Sequence, residues 1–292
     1  MWLAEGSPRE AEAELKRALA LLRPQVGDSH PAVADTLATL AEAHAALKNT
    51  KAEAAALQEA VSQAHERGAA LAPATLKHTA RLGAALERAG ELQKAEAVRR
   101  RAHSAAQAAA REDATARNVG GAMFASIALA GTLRLRATQG SEQRGALPSC
   151  SPPREGTDEA EALREARQLL EAAFKAGRER FGESDLAVGA CERWLALVLA
   201  EAGDVDAAAK VAKSAVATLE RCRGEAMAAA AAVKAAEAKG LPPPSQLRVV
   251  SLRAATKELG EALRLTADLA EVEGDAQAQA RARERLEGIG QV

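Results

Sequence analysis

Aromatic residues are almost missing from this sequence. Tyr is absent, and Phe, Trp and Tyr together account for 2% of the 292 residues. The apolar residues, 48% of the chain, are mostly Ala and Leu, a combination that favours helices over strands. The composition therefore predicts an all-α protein with ample apolar residues for a buried core, and it excludes a disordered chain.

A net charge is lacking as well. The 39 Lys and Arg residues oppose 40 Asp and Glu residues, which gives a formal net charge of -1. Because no field of one sign surrounds such a chain, its overall charge would not attract nucleic acid or an acidic membrane. We therefore expect no nucleic acid and no membrane among its partners.

Cysteines are few and show no pairing pattern. The three cysteines, Cys150, Cys191 and Cys222, form no C-x-x-C motif. An odd number without such spacing favours reduced thiols in a cytosol-like compartment over a disulfide framework, and it argues against a metal site. A cytoplasmic location is the expectation, while import into an organelle stays open.

Long hydrophobic segments are also absent. The N-terminus lacks a basic leader followed by an apolar stretch, so no secretory signal is expected. The longest uncharged apolar run, residues 119–133, has 15 residues, whereas a membrane-spanning helix needs roughly 17 to 25. This run is therefore predicted to be a buried helix rather than a membrane span.

Catalytic motifs are missing too. The sequence contains no G-x-x-x-x-G-K-[ST] phosphate loop, no strand-linked G-x-G-x-x-G and no H-E-x-x-H. The five histidines are scattered along the chain, at His30, His44, His65, His78 and His103. We therefore predict that the protein is not an enzyme and needs no cofactor or metal.

The sequence instead repeats itself every 42 residues. Ala18, Ala60 and Ala102 follow one another at this spacing. The stretch that begins at Gly182 also repeats the stretch that begins at Gly27, at an offset of 155. Three 42-residue periods account for all but 29 residues of this 155-residue offset. One repeat unit therefore governs both halves of the chain, and an insertion separates them.

Each period encodes two helices. Asp28 or Ser29 can cap the first helix, Pro31 suits its first turn, and an apolar stripe with spacings of three and four follows. A break at residues 48–50 precedes a second stripe, which predicts an antiparallel pair. The predicted pairs are residues 33–47 with 57–64, 74–88 with 91–109, 119–135 with 158–175, 184–202 with 204–219, and a degenerate pair, 245–272 with 275–286.

Departures from the period suggest how the chain is divided. Residues 137–157 are rich in Gly, Ser and Pro and are predicted to be an inserted loop, and residues 221–244 to be an Ala-rich helix with a Pro linker. The predicted segments are repeats over 1–110, the first lacking most of its first helix; a divergent helix and inserted loop over 111–157; repeats over 158–220; the helix and linker over 221–244; and the degenerate pair over 245–292.

These features resemble tetratricopeptide repeats (TPR) of the 42-residue variety found in kinesin light chains. The linker Gly27-x-x-His30-Pro31-x-Val33-Ala34 carries the resemblance most clearly, although Glu53 stands where the family has Ala. The resemblance implies an α-solenoid of antiparallel helix pairs, coiled as a right-handed superhelix. It also implies small residues where helices approach closely: Ala41, Gly83, Ala130 and Ala196 on first helices, and Ala11, Ala95, Ala166 and Ala208 on second helices.

The resemblance further implies a binding groove. First helices of this family line a concave surface on which peptides or helices dock, so the function implied is a non-catalytic protein-binding scaffold. The residues at inward-facing positions that we take as a binding site are Lys77, Arg81, Arg134, Arg193 and Trp194. Their positive charge points to an acidic or carboxylate-bearing peptide as the partner. The alternative is that these charges are ordinary solvent-facing groups.

Two other functions stay open at this point. An RNA-binding helical-repeat protein would use basic first helices, but the 42-residue period and the neutral charge count against it. A regulatory TPR fragment of a larger enzyme or signalling protein is the second alternative. The basic run Arg99-Arg100-Arg101 could support nucleic-acid binding, yet consecutive helical residues fan around the axis, which favours a solvated face. Oligomeric state is not predicted.

Overall fold

The predicted helices are present in the structure, a computed structural model that describes residues 7–67, 73–138, 153, 156–238 and 251–289. These residues form eleven α-helices and no strand among themselves. The helices are α1 (Pro8–Val26), α2 (Pro31–Ala46), α3 (Thr50–Glu66), α4 (Pro73–Arg88), α5 (Leu92–Glu112), α6 (Ala116–Thr138), α7 (Asp158–Phe181), α8 (Leu186–Glu201), α9 (Val205–Ala238), α10 (Leu252–Glu273) and α11 (Ala276–Ile289).

The helices pack as consecutive antiparallel pairs in two units. Unit 1 comprises residues 1–112 and contains α1 to α5, and unit 2 comprises residues 113–292 and contains α6 to α11. In both units each helix packs mainly against its neighbours in sequence. We call α2, α4, α6, α8 and α10 first helices and the others second helices. The predicted all-α stack of helix pairs is confirmed, and the finer division into five segments stays a prediction.

The linker before a first helix keeps the same geometry in both units. Gly27 and Gly182 both have positive φ, 82° and 80°, and end the preceding helix. His30 then accepts a hydrogen bond through Nδ1 from the amide two residues ahead at 3.2 Å, and Asp185 does so through Oδ1 at 2.8 Å. The change from His30 to Asp185 therefore replaces one N-cap by another.

Small residues occupy the close contacts between helices. All eight small positions predicted from the family resemblance are buried. A Cβ on Gly83 would lie 2.5 Å from Nε of Arg99, and a Cβ on Gly189 would lie 2.7 Å from Cδ2 of Leu219. The Arg99 and Leu219 side chains therefore occupy space that only glycine leaves open.

The apolar run at residues 119–133 lies within α6. Met123, Leu129 and Leu133 are at most 2% exposed and belong to the main hydrophobic cluster of unit 2, together with Leu170 on α7. No helix in the described part of the chain is long and apolar enough to cross a membrane. The prediction of a buried helix is confirmed for these side chains.

Two predicted boundaries differ from the structure. The helix α9 continues without a break from Val205 to Ala238, because the Ala-rich sequence after Leu219 has no helix breaker strong enough to stop it. The predicted inserted loop starts too early, since residues 137 and 138 end α6. Most of that loop, and the Pro linker at residues 239–244, lie outside the described residues.

Two of the three cysteines lie within the described residues. Cys191 and Cys222 are free thiols with no exposed surface, and their Sγ atoms each donate to a backbone carbonyl at 3.3 Å. Burial raises the pKa of Cys191 to about 12 and that of Cys222 to about 11. Both thiols are therefore packing groups that stay protonated at neutral pH. Cys150 lies outside the described residues.

Candidate functional site

The five predicted site residues all lie on first helices. Lys77 and Arg81 are on α4 in unit 1, whereas Arg134 is on α6 and Arg193 and Trp194 are on α8 in unit 2. The two groups are therefore described separately.

In unit 1, Arg81 is held by a carboxylate of the preceding first helix. Its Nη1 donates to Oε1 of Glu42 on α2 at 2.9 Å, and both side chains are partly exposed to solvent. Lys77 is exposed and has no ion pair among the described residues. His78 beside them is buried, and burial together with Arg81 lowers its pKa. Lys77 is thus the cation of this group whose charge is left uncompensated.

In unit 2, Arg134 pairs with a carboxylate of the next first helix. Its Nη1 donates to Oε1 of Glu201, near the end of α8, at 2.7 Å, and only 7% of the Glu201 side chain is exposed. Burial raises the pKa of Glu201 even though Arg134 acts in the opposite direction. Nε of Arg134 and Oε2 of Glu201 are buried and have no hydrogen-bond partners within the described part of the chain. The pair is therefore incompletely satisfied, which reduces its net stabilising effect.

Arg193 has two carboxylate partners on the following first helix, α10. Its Nε donates to Glu258 at 2.9 Å, and its Nη2 lies 3.0 Å from Oε2 of Glu261. The Arg193 side chain is 8% exposed. One guanidinium thus joins α8 to two positions one turn apart on α10, a geometry that the forked donors of Arg allow.

Trp194 contacts both arginines of unit 2. The Cζ atoms of Arg193 and Arg134 are 4.9 Å and 5.5 Å from the centre of its ring. Gly131 on α6 lies near Cη2 and Cζ3 of the ring, and a Cβ on it would be 3.5 Å from Cη2. The Trp194 side chain is partly exposed. The ring is therefore held in one orientation by cation–π contacts and by a small neighbour.

These contacts form a pattern across the first helices of each unit. Arg81 joins α4 to α2, Arg134 joins α6 to α8, and Arg193 joins α8 to α10. Three of the four predicted binding cations are therefore paired with carboxylates of the same chain. The residues that we call the first-helix surface of unit 2 are Arg134, Arg193, Trp194, Leu197, Glu201, Glu258 and Glu261.

The carboxylate partners of these arginines were not identified from the sequence. For Glu42 the sequence held a signal. Thr39 precedes Arg81 by one 42-residue period and so occupies the equivalent position on α2. Glu42 lies one helical turn beyond Thr39 on that helix. For Glu201, Glu258 and Glu261 the spacing gave no such signal, because the pairs of unit 2 depart from the regular period.

Other charged residues singled out in the sequence are also paired. Glu53, where the family has Ala, is 2% exposed and accepts from Nη2 of Arg88 at 2.8 Å. Arg99 packs over Gly83 and pairs with Glu87 at 3.3 Å, whereas Arg100 is more exposed. The three consecutive arginines therefore point in different directions and form no single basic patch. Among the residues that the structure describes, no group of three His, Cys, Asp or Glu could hold a metal ion.

The helix pairs, their glycine-ended linkers and their small close-packed residues define a TPR-like repeat fold. Among solved structures, the chain is similar to a Podosopora anserina protein with nearly identical TPR-like repeats of the kinesin light chain type. The TM-score is 0.56 and the identity 16%, over 74% of this chain and 89% of that one. The chain is also similar to BtubC (BKLC) from P. vanneervenii, with a TM-score of 0.54 and 14% identity over 97% of this chain and 88% of that one.

These similarities confirm the predicted kinesin light chain-like repeat fold. No family model and no curated protein matches the chain. At 14 and 16% identity, the structural neighbours show the fold and leave the function to be argued from the surface itself.

Proposed function

We propose that the protein is a non-catalytic scaffold that binds a peptide or helix of another protein on its first helices. The observation that carries this proposal is that Trp194 is partly exposed and is ordered by contacts with Arg134 and Arg193. A rigid aromatic side chain that is already ordered loses little conformational entropy when a partner packs on it. The fold supports the proposal, since helical-repeat stacks present such surfaces to protein segments.

The partner we propose is a segment with an apolar or aromatic side chain next to a carboxylate. The apolar side chain packs on the ring of Trp194 and on Leu197, which lies one turn further along α8. A guanidinium has five N–H donors, and the ion pairs of Arg193 use two of them. A partner carboxylate would take up remaining donors, and since Glu258 and Glu261 already compensate the charge, it contributes orientation more than affinity.

In unit 1, Lys77 and Arg81 form a second, separate candidate contact. Lys77 is exposed and uncompensated among the described residues, so it would attract a carboxylate more strongly than Arg81, which is paired with Glu42. We place the protein in a cytosol-like compartment because Cys191 and Cys222 are free, buried thiols.

Photo-cross-linking tests the proposed surface. A benzophenone amino acid replaces Leu197 in the full-length protein, and a control carries it at Gln168, which is exposed on the second helix α7. We expect cross-linked protein partners from position 197 and few from position 168. Trp194→Ala should weaken their capture by roughly 30-fold, since a central Trp anchor contributes about 2 kcal/mol or more.

Three results would count against the proposal. They are equal cross-linking at both positions, capture at position 197 that Trp194→Ala leaves unchanged, and cross-linked material that nuclease digestion removes. The last result would favour an RNA-binding protein. Circular dichroism of Trp194→Ala shows whether the helices are intact, so that a loss of capture is not mistaken for unfolding.

A further inference from the structure

Each unit contains a cleft between two consecutive second helices, with the intervening first helix as its floor. The unit 1 cleft lies between α3 and α5 above α4, and the unit 2 cleft lies between α7 and α9 above α8. Their linings correspond at a sequence offset of 113, which is the 155-residue offset less one period. Thr79 on the floor of the first cleft corresponds to Glu192 in the second. The two clefts therefore occupy equivalent positions in two repeats.

The floor of the unit 2 cleft carries a buried carboxylate. Glu192 is 6% exposed, and its Oε1 accepts a hydrogen bond from Oγ of Ser214 on α9 at 2.6 Å. Its Oε2 is buried and has no hydrogen-bond partner among the described residues. Because a buried carboxylate oxygen without a partner is unfavourable, this group calls for a donor that the described residues do not provide.

The rim of the unit 2 cleft carries basic side chains, in contrast to the carboxylate on its floor. Arg178 is exposed and pairs with the carboxylate of Glu183, while Arg221, also exposed, donates to the backbone carbonyl of Glu183 at 3.4 Å. Both guanidinium groups are therefore engaged with the linker at the mouth, where water screens them. Phe174 supplies an aromatic wall. The interior combines the carboxylate of Glu192, the hydroxyl of Ser214, which can also accept hydrogen bonds, and the ring of Phe174.

We propose that the unit 2 cleft binds a cationic side chain, an arginine or lysine of a partner protein. Its N–H groups donate to Glu192 and to Oγ of Ser214, and its charged end packs against Phe174. The terminal torsion of Glu is broad, so rotation of the carboxylate can present Oε2 to the ligand. The cleft volume of about 250 Å³ is several times the roughly 30 Å³ of one water molecule, which leaves room for a side chain.

The unit 1 cleft is a built-in control for this proposal. It has a smaller volume, about 100 Å³, and carries Thr79 and Arg101 where the unit 2 cleft has Glu192 and Ser214. It therefore presents a cation where the unit 2 cleft presents a hydroxyl, and it has no carboxylate in its lining. The same fold position should accept a basic side chain in unit 2 and reject one in unit 1.

The test uses two probes that differ in charge. Nα-acetyl-arginine methylamide is titrated into the ¹⁵N-labelled full-length protein and followed by NMR, and the neutral citrulline analogue of the same shape serves as the matched control. We expect the arginine probe to shift the amide signals of Gly189, Glu192 and Ser214 and to leave those of Thr79 and Arg101 in place. The citrulline probe should bind about tenfold more weakly or not at all.

Variants then assign the binding to the carboxylate. Glu192→Gln keeps the shape of the side chain and should abolish the response to the arginine probe, while Ser214→Ala should weaken it. Trp194→Ala, on the first-helix surface, should leave it unchanged, so this result is independent of the proposed function above. If Glu192→Gln does not fold, the comparison of the two probes on the unaltered protein still shows whether the cleft selects a cationic side chain.

The proposal is overturned by any of four observations. They are no shift in the unit 2 cleft with the arginine probe, equal binding of arginine and citrulline probes, an undiminished response in folded Glu192→Gln, and shifts of equal size in the unit 1 cleft.

Discussion

The first helices of the two units carry the same kind of ion pair, but the pairs are buried to different degrees. In unit 1 the side chains of Arg81 and Glu42 are 24% and 51% exposed. In unit 2 the side chain of Arg193 is 8% exposed and contacts two carboxylates and the ring of Trp194. Exposed pairs contribute little to stability, whereas an unpaired group left in a buried pair is costly. The comparison indicates that the contacts of Arg193 in unit 2 contribute more to stability than the Arg81–Glu42 pair of unit 1.

The largest effect is expected from Arg193→Ala. The change removes a buried guanidinium, takes the ion-pair partner from Glu258, leaves Glu261 with the exposed Lys257 at 3.9 Å, and removes one of the two cation–π contacts of Trp194. Since both carboxylates keep some exposure, we expect a loss of about 2–3 kcal/mol in the free energy of unfolding of unit 2. Urea denaturation followed by Trp194 fluorescence measures it, in a Trp2→Phe background so that the signal comes from unit 2. A loss below about 0.5 kcal/mol would contradict the comparison.

Arg81→Ala is the matched change in unit 1 and should cost less than about 1 kcal/mol. Its pair with Glu42 is open to solvent, so hydration of the separated charges offsets most of the stabilisation that the ion pair provides. Urea denaturation followed by circular dichroism gives the value. A cost as large as that of Arg193→Ala would remove the distinction between the two units.

Thiol labelling offers a way to observe unit 2 alone. The sequence has no cysteine in residues 1–112, and Cys191 and Cys222 are buried in unit 2 with raised pKa values. In a Cys150→Ser background, labelling should be slow in the native protein and should speed up in Arg193→Ala but not in Arg81→Ala. Fast labelling of the unaltered protein at pH 7 would show that these thiols are not protected as the structure describes.

The smallest effect concerns the pH dependence set by Glu201. Burial holds its pKa above the usual value of 4.5, with Arg134 opposing the shift. A carboxyl group whose pKa is higher in the folded than in the unfolded state stabilises the protein below its unfolded-state pKa, and this stabilisation is lost as pH rises through the folded-state pKa. The free energy of unfolding of the unaltered protein relative to Glu201→Gln should therefore fall as pH rises above about 4.5. A rise with pH in that range would mean that the ion pair outweighs burial.

The sequence was sufficient to predict the helices and their pairing. Spacings of three and four within a 42-residue period encode apolar faces directly, and Gly27 and Gly182 mark the same linker in both units. The continuous helix α9 was not predicted, because a repeat pattern says where a helix packs and not where an Ala-rich sequence stops being helical.

The site was predicted only in part. The positions of the first-helix residues follow from the period, but their partners depend on contacts between helices that lie far apart in sequence. Arg134 and Glu201 are 67 residues apart, across the insertion, so no repeat spacing relates them. Glu192 was missed for a different reason. Its partner Ser214 lies on the next helix, but its burial depends on how α7 and α9 pack over α8, which the repeat spacing does not reveal.

The first-helix arginines of unit 2 link each first helix to the next, Arg134 from α6 to α8 and Arg193 from α8 to α10. A double-mutant cycle of Arg193→Ala and Glu258→Ala, measured by urea denaturation, tests this linking role most directly. We predict a coupling free energy of about 1.5 kcal/mol or more, against less than about 1 kcal/mol for the matched cycle of Arg81 and Glu42. A coupling for Arg193 and Glu258 within about 0.3 kcal/mol of zero would contradict this role and leave Arg193 as an ordinary surface cation.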